Sequence, residues 1–329
     1  MNEKFQINPF DRTALNDFRQ LAGRTEEFRQ VRFILRNSVK NKNRIRSILI
    51  TGERGVGKTS FLNLIEAECE VNNIIPIRIN LTDTNSSNSC DFFWHLFSQA
   101  LNSLLNFGLF EGKGGAIDVM IQQILNSDGI SDQANWVFST PVLRRNYLTN
   151  PNTNFEFHLF IEDIRLMRKE VIELGDKYPE NTKLLFLVDE SQHLYSNKQI
   201  VEEIRFVLQS QDLGVGFVFA GDNEYKKAEW EKVFGGSYRE FEVVNLPFFN
   251  SSNSVEEYFK KSLSTIGWTD QEIEETFFYR FKLSCRHIFY LTSGKPSWIN
   301  VIASKMFERC MLGEVRQLRF DKQAHVLAP

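Results

Sequence analysis

Nowhere does the chain run to the roughly 18 consecutive apolar residues that a membrane-spanning helix needs. Its first residues, Met1-Asn2-Glu3-Lys4-Phe5-Gln6, lack the apolar stretch of a secretory signal. No contact with a membrane is expected. Cysteine is scarce: Cys69, Cys90, Cys285 and Cys310 are scattered with no CxxC pair. That argues against a disulfide framework or a zinc site and for a reducing, cytoplasmic setting. The five histidines are dispersed as well, with no metal-ligand spacing. There is no excess of basic charge either: 39 Lys and Arg against 42 Asp and Glu leave a formal net charge of −3 and a pI near 6.1. A protein that wraps nucleic acid is usually basic as a whole, so any contact with DNA has to come from local patches. The candidates are Lys40, Lys42, Arg44 and Arg46, and Arg144 with Arg145. Internal repeats and low-complexity tracts are absent too.

What is present suits a globular protein of one large or two modest domains: 329 residues, 42% hydrophobic and 25% charged. The 30 phenylalanines read first as core packing. Apolar runs at Ser47–Thr51, Ile75–Leu81, Leu184–Val188, Val215–Ala220 and Phe241–Leu246 read as strands. Pro76 places the second of these at a strand start or a sheet edge, because proline has no N–H for a ladder. Helical spacing is expected from about Leu15 to Lys40, over Asp91–Leu105 and Phe155–Leu174, and around Lys198–Gln209. The alternation of strands and helices predicts an α/β fold, a parallel sheet sandwiched by helices. We place residues 1–250 in this α/β domain, with 82–183 as a mostly helical insertion, and 251–329 in a small helical domain.

The chemistry starts at Gly52-Glu53-Arg54-Gly55-Val56-Gly57-Lys58-Thr59, which fits GxxxxGK[ST] and is followed by Ser60 and a helix. Glycines let successive backbone N–H groups turn inward around phosphate oxygens without a Cβ clash. The following helix points its positive end at the same phosphates. Lys58 reaches the β- and γ-phosphates and the Thr59 hydroxyl ligates Mg²⁺. ATP with Mg²⁺ is the expected ligand. The strand Leu184–Val188 ends in Asp189-Glu190. An acid at the carboxyl end of a buried strand lies where open α/β sheets bind ligands. Asp189 is assigned to Mg²⁺, and Glu190 to orienting and deprotonating the attacking water. The strand Val215–Ala220 ends in Gly221-Asp222-Asn223, and either Asp222 or Asn223 qualifies as a polar sensor of the γ-phosphate. A guanine-reading NKxD motif is missing, since Asn197-Lys198-Gln199-Ile200 lacks its aspartate. Adjacent Asp and Glu suit activation of water better than transfer to an acceptor.

With these motifs the chain resembles the AAA+ ATPases, in particular the initiator-like and STAND-like branch of origin-recognition and transposition-regulator ATPases. The segment Phe18-Arg19-Gln20-Leu21-Ala22-Gly23-Arg24-Thr25-Glu26 is similar to the box that precedes the phosphate loop in that branch. The resemblance implies that Arg24 lies near the adenine. It also implies that Arg239, seven residues before Leu246-Pro247, acts as a finger on the γ-phosphate, often that of a neighbouring subunit, and hence a homo-oligomer. Ser293-Gly294-Lys295-Pro296-Ser297 resembles the turn of the family's helical lid, with Ser297 where the family has a nucleotide-sensing arginine. Lys295 is not an equivalent fork-shaped donor, so slow or partner-dependent hydrolysis is expected. The resemblance thus implies an ATP-hydrolysing switch that recruits or regulates a partner in replication, transposition or defence. The alternatives are the ATPase subunit of a protein-signalling complex without DNA contact, or a nucleotide-gated scaffold with little turnover.

Overall fold

The computed structural model describes residues 8–10, 21–40, 45–106, 157–174, 182–194, 197–210, 213–222, 234–312, 318 and 320. Five strands form one parallel sheet: β1 (Ser47–Gly52), β2 (Ile74–Asn80), β3 (Lys183–Asp189), β4 (Val215–Asp222) and β5 (Phe241–Asn245). Their order is β2-β3-β4-β1-β5. The helices are α1 (Thr25–Lys40), α2 (Lys58–Val71), α3 (Ser89–Asn106), α4 (Phe157–Leu174), α5 (Lys198–Gln209), α6 (Ser252–Ser264), α7 (Phe281–Thr292) and α8 (Pro296–Met311). The expected α/β class holds. Two compact units result: one of Met1–Gln30, Thr51–Ile65 and Val244–Pro329, the other of Val31–Ile50 and Glu66–Val243.

The second unit is built on β3, whose seven residues are all buried. Such a strand must be apolar on both faces, and Leu184–Val188 is. Phe186 stacks on Phe217 of β4 and Phe217 on Phe219, with ring centroids 5.3 Å apart in both pairs. Burying a side chain of this size contributes about 2–3 kcal/mol. Proline is tolerated in β2 because that strand is the sheet edge, paired on one side only. In the β2–β3 register Arg78 lies opposite Leu187, and Asn80 opposite Asp189. Since side chains alternate between faces, Arg78 and Asp189 emerge on one face, a diagonal step apart. Helices α3 and α4, the two ends of the expected insertion, do not stand apart from this core. Phe93 of α3 meets Phe160 of α4 at 4.6 Å, and Ile164, Met167 and Val171 join the same buried cluster. Asn197, the first residue of the stretch that fails as a guanine motif, caps α5 instead by accepting a hydrogen bond from the Ile200 N–H.

The first unit has a separate core under α6, α7 and α8. Phe10 fills its centre, with ring centroids 5.3 Å from Phe259 and 6.0 Å from Phe307. The α7–α8 connection is forced by its residues. Ser293 and Gly294 both take positive φ, at 49° and 73°, and Pro296 opens α8 at a position where no N–H is needed. The Gly294 carbonyl accepts from the Phe249 N–H at 2.9 Å. A Cβ on Gly294 would lie 2.1 Å from the Phe249 carbonyl oxygen. Among the described residues, no helix is long and apolar enough to cross a membrane.

Gly294→Ala combines a left-handed backbone with a clash against main chain that has no rotamer to give way. We expect it to lower the unfolding free energy by about 2 kcal/mol or more, measured by urea denaturation.

Candidate functional site

The loop between β1 and α2 belongs to the first unit. Its peptide turns at Gly55 and Gly57, where φ is 84° and 96°, a region closed to most side chains. Gly52 is constrained differently: a Cβ there would meet the Leu246 carbonyl oxygen at 2.8 Å. Val56 is buried and pins the loop, while Glu53, Arg54 and Thr59 are exposed and Gly55, Gly57, Lys58 and Ser60 half-buried. Lys58 Nζ donates to the Gly52 and Glu53 carbonyls at 2.9 and 3.2 Å. The ammonium is thus held over the loop by its own backbone. No acidic residue sits in the first turn of α2, so the positive end of that helix is left uncompensated for an anion.

The turn between α7 and α8 reaches this loop directly. The Ser297 N–H donates to the Gly55 carbonyl at 3.1 Å. The Ser297 hydroxyl lies so close that a Cβ on Gly55 would meet it at 2.3 Å. Ser297 is therefore a backbone contact to the phosphate loop in the place where the resemblance expects a long arginine. The Lys295 ammonium lies 5.9 Å from the Phe248 ring centroid.

Arg24 turns inward. It is 4% exposed, donates to the Pro247 carbonyl and lies 5.6 Å from the Phe249 ring centroid. Burial lowers its pKa from the ordinary guanidinium value, and Glu27 offsets part of the effect. Its guanidinium is engaged by the β5–α6 connection. The same box is tied down twice more: Gly23 N–H donates to Glu257 at 3.1 Å, and Lys261 donates to the Leu21 carbonyl at 2.6 Å.

The acidic strand end belongs to the second unit. Asp189 is 5% exposed, and both its oxygens are engaged. Oδ2 accepts from Arg78 Nη2 at 2.8 Å and Oδ1 from the Glu190 N–H at 3.1 Å. Glu190 has a φ of 54°. This conformation costs a non-glycine residue about 1–2 kcal/mol and is found where a site over-determines the backbone. It leaves the Glu190 side chain exposed, accepting from Gln192 Nε2. The other end of the Gln192 amide accepts from the Asp222 N–H at 3.4 Å. Glu190 and the end of β4 are thus bridged by one side chain. Gly221 makes room for the turn, since a Cβ there would lie 2.6 Å from the Ser191 hydroxyl.

Within one unit the structure brings together Asp189, Glu190 and Asp222; within the other, the phosphate loop and Ser297. Arg239 lies exposed on the turn Gly235–Glu240. Asn223 falls outside the described residues, as do Lys42, Arg44, Arg144 and Arg145; Arg46 pairs with Glu242. The roles of Arg78 and Gln192 were missed in the sequence. An arginine in an otherwise apolar edge strand is the signal that Arg78 offered. Gln192 offered none, because its bridging follows from the turn after β3. For a metal, the Thr59 hydroxyl and Asp189 carboxylate are hard oxygen donors of the type Mg²⁺ prefers. No cluster of three His, Cys, Asp or Glu occurs among the described residues. Mg²⁺ carried on a nucleotide needs none, because phosphates and water complete its shell.

A parallel sheet whose first strand runs through a glycine-bent GxxxxGKT loop into a helix defines a P-loop nucleotide-binding protein. More narrowly, the chain belongs to the AAA family: the family's AAA domain matches residues 42–228. No curated protein matches the chain. Among solved structures it is similar to the ORC2 protein of Aeropyrum pernix in its ADPNP–ADP complexes, with a TM-score of 0.53 and 13% identity over 96% of this chain and 69% of that one. The ADP form of the same protein matches with a TM-score of 0.53 and 13% identity, over 94% and 69%. At such identity the likeness establishes the fold.

Replacing Arg24 by Ala removes a buried charged donor, its hydrogen bond to the Pro247 carbonyl and its contact with the Phe249 ring. A loss of about 1.5–3 kcal/mol in unfolding free energy is expected from chemical denaturation.

Proposed function

We propose that this AAA protein binds ATP with Mg²⁺ and hydrolyses it to ADP and phosphate as a molecular switch. The observation that carries the reading is the phosphate loop. It has two glycines at positive φ, a lysine held over it, an exposed Thr59 and a helix N-terminus free of acid. Backbone N–H groups and Lys58 take the phosphates, and Thr59 and Asp189 are the residues to hold Mg²⁺. The bound cation neutralises charge building on the phosphates during transfer. Glu190, on its strained turn, orients water and accepts its proton. Gln192 couples that carboxylate to β4, where Asp222 and Asn223 stand as sensor candidates. Open parallel sheets bind ligands beyond the carboxyl ends of their strands, and β3 and β4 end there in Asp189 and Asp222.

Oligomerisation with ATP, and regulation of a partner in a DNA-associated process, complete the reading. The exposed Arg239 suits a finger directed at a neighbouring copy's nucleotide. A protein-signalling role without DNA has its own support in Leu283, Tyr290 and Leu291, three large apolar residues exposed on α7.

Lys58→Ala is expected to weaken ATP binding by about a hundredfold, measured with a fluorescent analogue. Normal affinity would contradict the assignment. Glu190→Gln should keep binding but slow steady phosphate release by about a hundredfold or more. Equal rates in the two proteins would remove Glu190 from catalysis. DNA retention at low salt, with and without ATP, tests the DNA-associated role: binding that weakens with salt is expected, and no retention in either state would rule out direct contact.

A further inference from the structure

Arg78 is the one charged residue in β2, whose remaining positions are isoleucine, proline and asparagine. The sheet register delivers it to the same face as Asp189, the carboxylate read above as the metal ligand. The ion pair is 2.8 Å long, with side chains only 26% and 7% exposed. Together with the Glu190 N–H it engages both Asp189 oxygens. A site for a cation is thereby filled by a cation of the protein's own.

The guanidinium also has somewhere else to go. Its Nη1 is buried without a hydrogen-bond partner. Glu66 of α2 belongs to the same unit. Burial pushes the Glu66 carboxyl above the usual range, and Arg78 draws it part of the way back, so the two groups feel each other's charge. One arginine is thus bound to one carboxylate and acts on the charge of a second. It is bonded to one and has a spare donor, and its planar fork of N–H groups can serve either.

We propose that Arg78 is a built-in competitor for the metal carboxylate: it occupies Asp189 while the site is empty and yields it by turning to Glu66 when a nucleotide brings Mg²⁺. The inference rests on the reading of Asp189 as the Mg²⁺ ligand. It makes divalent-ion demand a property set by β2 and α2 rather than by the ligands alone. Charge is conserved within the group, because Arg78 is paired before and after the exchange. The cost of leaving a buried ion unpaired is then avoided in both states.

The test uses the full chain and reads binding rather than turnover. A fluorescent ATP analogue is titrated at a series of Mg²⁺ concentrations, and the Mg²⁺ midpoint is compared among variants. Arg78→Gln should lower the midpoint about tenfold or more, the effect of removing one charge in contact with the carboxylate. Glu66→Gln, which removes the alternative partner, should raise it. In the double variant the midpoint should equal that of Arg78→Gln, because Glu66 acts through the arginine. A folded Arg78→Gln protein with an unchanged or higher midpoint overturns the proposal. So does a Glu66→Gln shift of full size without Arg78. Thermal melting checks folding. If Arg78→Gln does not fold, Glu66→Gln alone decides: a raised midpoint supports the exchange and an unchanged one refutes it. Wild-type protein that binds no nucleotide at saturating Mg²⁺ would sink the parent reading and this inference with it. Equal midpoints with tight binding sink only the inference.

Discussion

The parallel register of β2, β3 and β4 is the constraint on which the acidic half of the site depends. Side chains alternate between the two faces of each strand, so a slip of one residue would move every one of them to the opposite face. With Ile79 opposite Val188 and Leu184 opposite Val215, there is one way to seat the strands. That seating brings Arg78 to Asp189, ends β3 where Glu190 must turn sharply, and leaves Gly221 beside Ser191. The functional groups are placed by residues that have no chemistry of their own.

Much of the fold was legible because its signals are local. A continuous apolar run declared β3, and Pro76 declared an edge strand. The spacing of Phe160, Ile164, Met167 and Val171 declared α4. The phosphate loop was legible for the same reason, since its residues are consecutive and each type has a steric or electrostatic purpose. What escaped the sequence is held by long-range contacts. The burial of Arg24 against Pro247 and Phe249, more than two hundred residues away in the chain, is one such contact. Phe10 gave no hint that it fills a core made by α6 and α8. Gln192 and Arg78 act through pairings that appear only once strands are side by side. The positive φ of Glu190 could not be foreseen from a residue that is usually barred from it.

The two kinds of carboxylate in the second unit illustrate how environment divides labour. Asp189 is buried, doubly hydrogen-bonded and matched by a guanidinium, which holds its carboxylate still. Glu190, next in sequence, is exposed and accepts from one amide, which leaves its carboxylate open to solvent. A single turn of backbone separates them, and its strain keeps the second from sharing the surroundings of the first.

The contact between Ser297 and Gly55 has a mechanical side. Ser297 stands at the very start of α8, a helix of 16 residues. At 1.5 Å per residue such a helix is about 24 Å long. It acts as a lever with its short end resting on the phosphate loop. A tilt of about 10° at that end carries the far end through about 4 Å. A long arginine in this position would flex and absorb small shifts of the loop. A serine joined through its own backbone passes them on, so that α8 is geared to the loop itself.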